Sequence, residues 1–243
     1  MTRHRLSGDY SLEYPGSSAS RKHLILIGFN YHGSPIKIRE RVAIPESCRC
    51  HALAALKQYP HILESALLST CNRTEVYAVV SEIASGINEL EDFFRQTQAI
   101  QGHEILKPNF KLLNEDVAVH LFRVAAGLDS MILGEGQIMS QVKAAHRSSL
   151  EAGTAGQLLD QLFKLALRCG KRVRTETNMA RRAVSVSSAA VELAEQIFEG
   201  QKKKSILFIG AGKMARISAK LLLCDKSKNH SICMVNRSPE RLK

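Results

Sequence analysis

The chain contains no tryptophan, and aromatic residues make up only 5% of its 243 positions, so any core it forms rests on aliphatic side chains rather than on stacked rings. No apolar run approaches the roughly 18 residues needed to cross a bilayer as a helix, which excludes a membrane span of that kind. The six cysteines, at 48, 50, 71, 169, 224 and 233, show no disulfide framework, and no apolar secretory segment precedes a small-residue cleavage site; both fit a reducing compartment. Paired metal-ligand sets are missing too. Cys48-Arg49-Cys50-His51 is a lone C-x-C without a second ligand pair, better explained by helical packing than by a metal. Acidic residues are outnumbered, 23 against 34 basic ones, and the resulting net charge of +11 favours an anionic partner, with nucleic acid one candidate.

What is present suits an ordinary globular protein: 44% hydrophobic and 23% charged residues, in a length that holds one large or two smaller domains. The cations cluster between Lys164 and Arg174. Lys164, Arg168, Lys171 and Arg172 follow i, i+4, i+7, i+8 spacing and form one stripe on a helix, with Leu162, Leu165, Ala166, Cys169 and Val173 mostly on other faces. A solvated helix face is the plain reading of such a run, but it leaves the whole-chain excess unexplained. A stripe of this kind can track phosphates, with strong salt dependence and little sequence information of its own.

Along the chain, residues 1–22 are rich in Ser, Gly and Arg, lack periodicity and read as a loose tail. His23–Gly28 reads as a buried strand, Pro45–Tyr59 as a helix, Glu64–Ser69 and Thr74–Val80 as strands, Gly86–Ile100 as a helix and Asn109–Leu113 as extended. This is a β-α-β-β-α-β order, the split βαβ arrangement. Asn114 is an expected N-cap for a helix through His120, ended by Gly127, and three more helices are expected over Gln137–Ala152, Gln157–Arg172 and Val184–Phe198. The expected division is a catalytic domain over 23–178, a connecting helix over 179–204 and a nucleotide-binding domain over 205–243.

Two stretches carry chemistry. Ser69-Thr70-Cys71-Asn72-Arg73-Thr74-Glu75 places a thiol among turn-forming polar residues directly after an apolar strand, so the cysteine is presented rather than packed. His120 follows 49 residues later, and a cysteine with a remote histidine points to nucleophilic catalysis. His120 also lies on the apolar face of its helix with Val117 and Val124, which suits a core histidine equally well. Ser205-Ile-Leu-Phe-Ile-Gly210-Ala211-Gly212-Lys213-Met214-Ala215 is a strand, a glycine turn and a helix start, the pattern that brings backbone amides to a dinucleotide pyrophosphate. The following strand ends in Asn236-Arg237-Ser238 instead of an acid, and Arg237 can pair with a 2′-phosphate, which favours NADPH over NADH.

The cysteine motif and the block His120–Gln137 resemble glutamyl-tRNA reductase, from about His23 to the last residue. The resemblance implies an NADPH-dependent enzyme that forms a thioester on Cys71 from glutamyl-tRNA and reduces it to glutamate-1-semialdehyde, the first step of the five-carbon route to 5-aminolevulinate and tetrapyrroles. For such a substrate the planar guanidinium fork of Arg73 suits the γ-carboxylate, and the resemblance implies that Thr70, Asn72, Ser130, Glu135, Gln137 and Gln141, together with Gly136, contact the glutamyl group, with Glu135 suited to the α-ammonium. His120 is then expected to orient the ester or to act as general acid. Gly134–Gln137 and Ala183–Ala194 resemble plant and cyanobacterial members, so plastid stroma or cytoplasm is expected. Residues 205–243 make only 39 positions of a nucleotide fold, which leads to the expectation of a fragment; pairing into a homodimer through further C-terminal helices is implied for a full-length form. The rival readings are a tRNA- or partner-binding module without reductase activity, and a reductase of phosphorylated or CoA-linked acids.

Overall fold

Four strands rich in Ile, Leu and Val form an antiparallel sheet in the order β2-β3-β1-β4: β1 (His23–Asn30), β2 (Ile62–Ser69), β3 (Arg73–Val80) and β4 (Phe110–Leu113). The structure is a computed structural model and describes residues 22–97, 107–179, 186–199, 204–224 and 230–242. β1 pairs with β3 from His23↔Val80 to Asn30↔Arg73, and with β4 from Ile25↔Leu113 to Gly28↔Phe110. Between β1 and β2 run α1 (Ile36–Val42), a 3-10 turn at Glu46–Cys48 and α2 (Arg49–Leu56); α3 (Ile83–Thr97) connects β3 towards β4. This is the expected β-α-β-β-α-β order with one addition. The sequence reading passes over α1 because only Val42 of its seven residues is buried, which leaves no apolar stripe to detect.

The strands read as continuous apolar runs because helices cover both faces of the sheet. Ile25, Ile27, Phe29, Val76, Ala78 and Val80 pack against α2 and α3. Leu26, Ala66, Leu68, Tyr77 and Val79 face the other way, against α4 (Glu115–Ala126), α5 (Gln137–Glu151) and α6 (Gln157–Glu176). Each fully buried aliphatic side chain contributes about 1.5–3 kcal/mol, so this double-sided packing supplies most of the drive to fold. α6 receives a tertiary cap: the buried Glu64 of β2 accepts from the N–H groups of Leu158 (3.3 Å) and Leu159 (2.8 Å), since Gly156 has no side chain to do so.

Several local expectations are corrected. Asn114 does not cap α4 with its side chain; its Oδ1 accepts from the Leu24 N–H at 3.2 Å, tying the start of α4 to β1, while Gly127 ends the helix at φ 76° as expected. Cys48 and Cys50 are exposed rather than packed. Leu165 is 50% exposed, and α6 runs on to Glu176. The expected tail, apart from Lys22, lies outside the described residues, as do 98–100 of the helix expected over 86–100, 184–185 of the last helix and 200–203 of the expected boundary.

The C-terminal elements are β5 (Ser205–Ile209), α8 (Lys213–Cys224) and β6 (Ser231–Val235), with β5 and β6 parallel and in register from Ser205↔Ser231 to Ile209↔Val235. α7 (Val186–Ile197) packs on α8, where Ser187 Oγ donates to the Met214 carbonyl at 3.1 Å. Strand, glycine turn and helix follow the expected bounds.

Candidate active site

Cys71 sits in the tight connection between β2 and β3, and hydrogen bonds fix its backbone. The Thr70 N–H donates to the Arg73 carbonyl (2.8 Å), and Thr70 Oγ1 accepts from the N–H groups of Asn72 and Arg73 (3.2 Å each). Arg39 braces the turn from α1, its Nε donating to the Cys71 carbonyl (3.4 Å) and its Nη1 to the Ser34 carbonyl (2.9 Å). With its backbone held on both sides, the thiol is exposed. It opens into a cleft of about 810 Å³ whose walls include Thr70, Arg49, Gly136, Gln137, Gln141 and Lys213. Gln137 and Gln141 stand one helical turn apart at the start of α5, so both amides face the sulfur's cleft. Lys213 is the first residue of α8, directly after the glycine turn.

Two expected site residues lie outside that cleft lining, in a buried charge network on β3. Period-two alternation places Arg73, Glu75 and Tyr77 on one face of the strand. Arg73 is 2% exposed; its Nη1 donates to Glu75 Oε1 at 2.8 Å and lies 3.6 Å from Asp129 Oδ2, and its Nη2 donates to the Asp129 carbonyl. The open fork expected for a substrate carboxylate is therefore already engaged within the protein. Burying a guanidinium is costly without a counter-charge, and two carboxylates supply one here. His120 has Nε2 at 3.0 Å from Glu75 Oε1 and Nδ1 at 3.6 Å from Asp129 Oδ2, with the Phe110 ring centroid 5.4 Å away. The Tyr77 hydroxyl donates to Glu75 Oε2 at 2.7 Å, and the exposed His32 reaches Asp129 Oδ1 at 2.9 Å.

Electrostatics of the network follow from these contacts. Burial pushes the Glu75 carboxyl up, but Arg73, the His120 hydrogen bond and charge, and the Tyr77 hydroxyl outweigh it and hold the group below the usual carboxylate range. Burial likewise opposes the Asp129 charge, and Arg73 with the two histidines brings its pKa down. Desolvation together with the adjacent Glu75 pushes the Tyr77 phenol well above its ordinary value. Burial works against the charge on Arg73, yet Glu75, Tyr77 and Asp129 hold its pKa above the ordinary one.

The remaining expected residues are distributed as follows. Ser130 is buried directly after Asp129, Asn72 is half-buried in the cysteine turn, and Glu135 is half-buried just before α5, its N–H donating to the Ile132 carbonyl at 3.2 Å. Glu75, Tyr77, Asp129 and His32 were not singled out from sequence. Strand alternation from Arg73 is a signal for Glu75 and Tyr77; nothing local announces that Asp129 meets them.

The glycine turn suits a dinucleotide. Gly210 has φ +106°, and a Cβ placed on Gly210 or Gly212 would meet nothing within 4 Å, so the backbone is open to a ligand there. The amides at the start of α8 lack intrahelical acceptors, which makes this end attractive to phosphate. Asn236 shapes the turn: its Oδ1 accepts from the Ala211 N–H (3.1 Å) and its Nδ2 donates to the Ser238 carbonyl (2.7 Å). The adjacent Arg237 is exposed.

Residues 27–177 match the family described as glutamyl-tRNAGlu reductase, N-terminal domain, and residues 192–243 match shikimate / quinate 5-dehydrogenase. The glutamyl-tRNA reductase of Picosynechococcus sp. is 45% identical over 216 residues, and that of Gloeothece citriformis 47% over 220. These alignments cover 89% and 90% of the chain but only 50% and 51% of the relatives, so the chain spans about half the length of the curated relatives it matches. The structure of glutamyl-tRNA reductase from Methanopyrus kandleri superposes with a TM-score of 0.61 at 32% identity, over 90% of this chain and 50% of that one. Among the described residues no helix is long and apolar enough to cross a membrane. The stretch that matches the N-terminal domain encloses both the cysteine turn and the carboxylate-held imidazole, and the chain belongs to the glutamyl-tRNA reductase family.

Proposed function

We propose that Cys71 takes the glutamyl group from glutamyl-tRNA as a thioester, which is then reduced to glutamate-1-semialdehyde, the entry to 5-aminolevulinate and tetrapyrroles. The observation that carries this reading is the exposed thiol on a braced turn, opening into one cleft with Gln137, Gln141 and Lys213. The thiolate attacks the ester carbonyl, the C–S bond forms as the bond to the ribose oxygen breaks, and a proton passes to the leaving hydroxyl. The glycine turn would hold a nicotinamide dinucleotide, NADPH on this reading, whose chemistry would be hydride donation to the thioester carbonyl, with the Cys71 thiolate released as the C–S bond breaks. Gly210, Ala211, Gly212, Lys213, Met214 and Ala215 would hold its pyrophosphate, and Arg237, flanked by Asn236 and Ser238, its 2′-phosphate. Lys213 belongs to that turn and also lines the thiol's cleft, which supports a single location for the two halves of the reaction.

Within the proposal, Thr70 holds the nucleophile's turn, and Gln137 and Gln141 offer amides to the glutamyl group. Asn72, Ser130, Glu135 and Gly136 complete the contacts. Arg73, engaged by Glu75 and Asp129, acts by fixing the turn and lending positive charge beneath it. His120, with a carboxylate at each ring nitrogen, serves as a positioning residue for that network. The division into residues 23–178 for the aminoacyl group, 179–204 as connector and 205–243 for the nucleotide, the pairing of two copies, and a plastid or cytoplasmic setting are parts of the same proposal.

Covalent labelling by glutamyl-tRNA carrying radioactive glutamate tests it. Wild-type protein is expected to retain label in a thiol-sensitive bond and Cys71→Ser to retain none; label persisting in Cys71→Ser would refute the assignment.

A further inference from the structure

α6 carries a dense line of cations and shows where it leads. Lys164, Arg168, Lys171 and Arg172 are all exposed, while Leu159, Phe163, Ala166 and Gly170 of the same helix are buried on the opposite side. Two of the four are neutralised: Asp160 holds Lys164 at 2.7 Å, and Glu176 holds Arg172 at 3.1 Å. Among the described residues Arg168 and Lys171 form no ion pair, so the middle of the stripe keeps its charge. Beyond Lys171 a further cation, the half-buried Arg174, stands on the side of α6 that continues Gly170 and touches the cleft. The guanidinium of Arg174 lies 3.2 Å from the point a Cβ on Gly136 would occupy, and Gly136 lines the cavity that holds Cys71. From Lys164 to Arg174 the helix rises about 15 Å, and Arg174 follows Lys171 by three residues, so the cations wind from the exposed face round to the mouth of the thiol's cleft.

We propose that this face of α6 is the docking surface for the RNA part of the substrate: the sugar-phosphate backbone of the acceptor end lies along Arg168 and Lys171, and the esterified terminus enters the cleft past Arg174 and Gly136. The identity of the RNA rests on the thioester reading above; the affinity of the face for a polyanion does not. Cations about one helical turn apart in a line suit a run of phosphates, which is recognised through counterion release and requires no base reading. The net charge of +11 adds a favourable long-range field.

The test uses the whole chain and deacylated tRNA as probe, titrated between 50 and 200 mM salt. The double variant Arg168→Ala/Lys171→Ala is expected to bind about tenfold more weakly at low salt, and the slope of log K against log salt to shrink in magnitude by roughly 1.5 to 2, near one per lost phosphate contact. Lys57→Ala, an exposed cation at the far end of α2, is expected to change binding by less than twofold. Unchanged affinity and slope in the double variant, with an unaltered melting curve, would overturn the proposal. So would binding of poly-glutamate as tight as that of tRNA, which would point to an acidic protein instead. Labelling of wild-type Cys71 by glutamyl-adenosine, too short to reach the stripe, reports the thiol chemistry separately. If it fails while tRNA still binds along α6, the thioester reading falls and the docking surface stands.

Discussion

β1 and β5 are nearly the same strand on paper: Leu24-Ile25-Leu26-Ile27-Gly28 against Ile206-Leu207-Phe208-Ile209-Gly210. In the folded chain Ile27 is fully buried and Ile209 is 86% exposed. The two glycines diverge as well. A Cβ on Gly28 would stand 2.7 Å from the Thr74 carbonyl oxygen, next to the cysteine turn, whereas Gly210 has open space around it and a φ of +106°. One glycine lets two strands approach; the other lets the chain turn and leaves open space beside the backbone. An apolar run of this composition specifies an extended segment, but what covers it is decided by elements elsewhere in the chain. The same contrast separates the two regions: the N-terminal sheet buries its charges and braces the turn of an exposed thiol, while the C-terminal pair leaves open space at its glycine turn.

The largest expected effect comes from the buried charges behind the thiol. Glu75→Ala leaves Arg73 buried beside a lost partner and is expected to cost about 3–5 kcal/mol in urea unfolding, against about 0.5 kcal/mol or less for Arg237→Ala on the exposed side. The network also sets a pH signature. Glu75 and Asp129 have folded pKa values below their ordinary ones, so their stabilisation is complete above the ordinary carboxylate range of about 4 and is lost as pH falls through the depressed values. Tyr77 is raised, so its contribution is complete below about 10 and disappears as pH rises beyond that. Stability measured from pH 6 down to pH 2 should therefore fall, and Glu75→Gln should flatten that fall; an unchanged acid limb would break the account.

The next effect tests the strand comparison directly. Ile27→Ala is expected to destabilise by about 2–5 kcal/mol and Ile209→Ala by about 0.5 kcal/mol or less. Equal losses at the two sites would erase the distinction drawn here. Smallest are the glycines. Gly28→Ala must displace the Thr74 backbone, at about 1–3 kcal/mol, and should alter the rate at which Cys71 reacts with iodoacetamide. Gly210→Ala meets no atom but holds an alanine at positive φ, costing on the order of 1 kcal/mol while leaving the Cys71 alkylation rate unchanged. A change in that rate would mean the two turns are coupled.

Much of this was legible in the residues. Strand alternation and turn chemistry locate Cys71 at a strand end, the β-α-β-β-α-β order emerges from apolar runs and punctuation, and the glycine turn declares itself by its spacing. α1 escaped because it buries a single side chain, and Asn114 looked like a cap because nothing local shows that Leu24 claims its oxygen. Arg73 is the instructive case. Its place in the cysteine motif made it an open fork for a carboxylate, yet Glu75 two residues on and Asp129 from a distant loop occupy it.

The order of elements, the presentation of the thiol and the cationic face of α6 were determined by the sequence alone, because each depends on neighbours within a few residues and on the period of strand or helix. Which charges meet in the interior, which glycine packs and which lies open, and how the end of α6 reaches the cleft were decided only by tertiary structure. Pairing of buried groups depends on which surfaces exclude water together, and residues as far apart as Glu75, His120 and Asp129 share that exclusion only once the sheet and its helices have assembled.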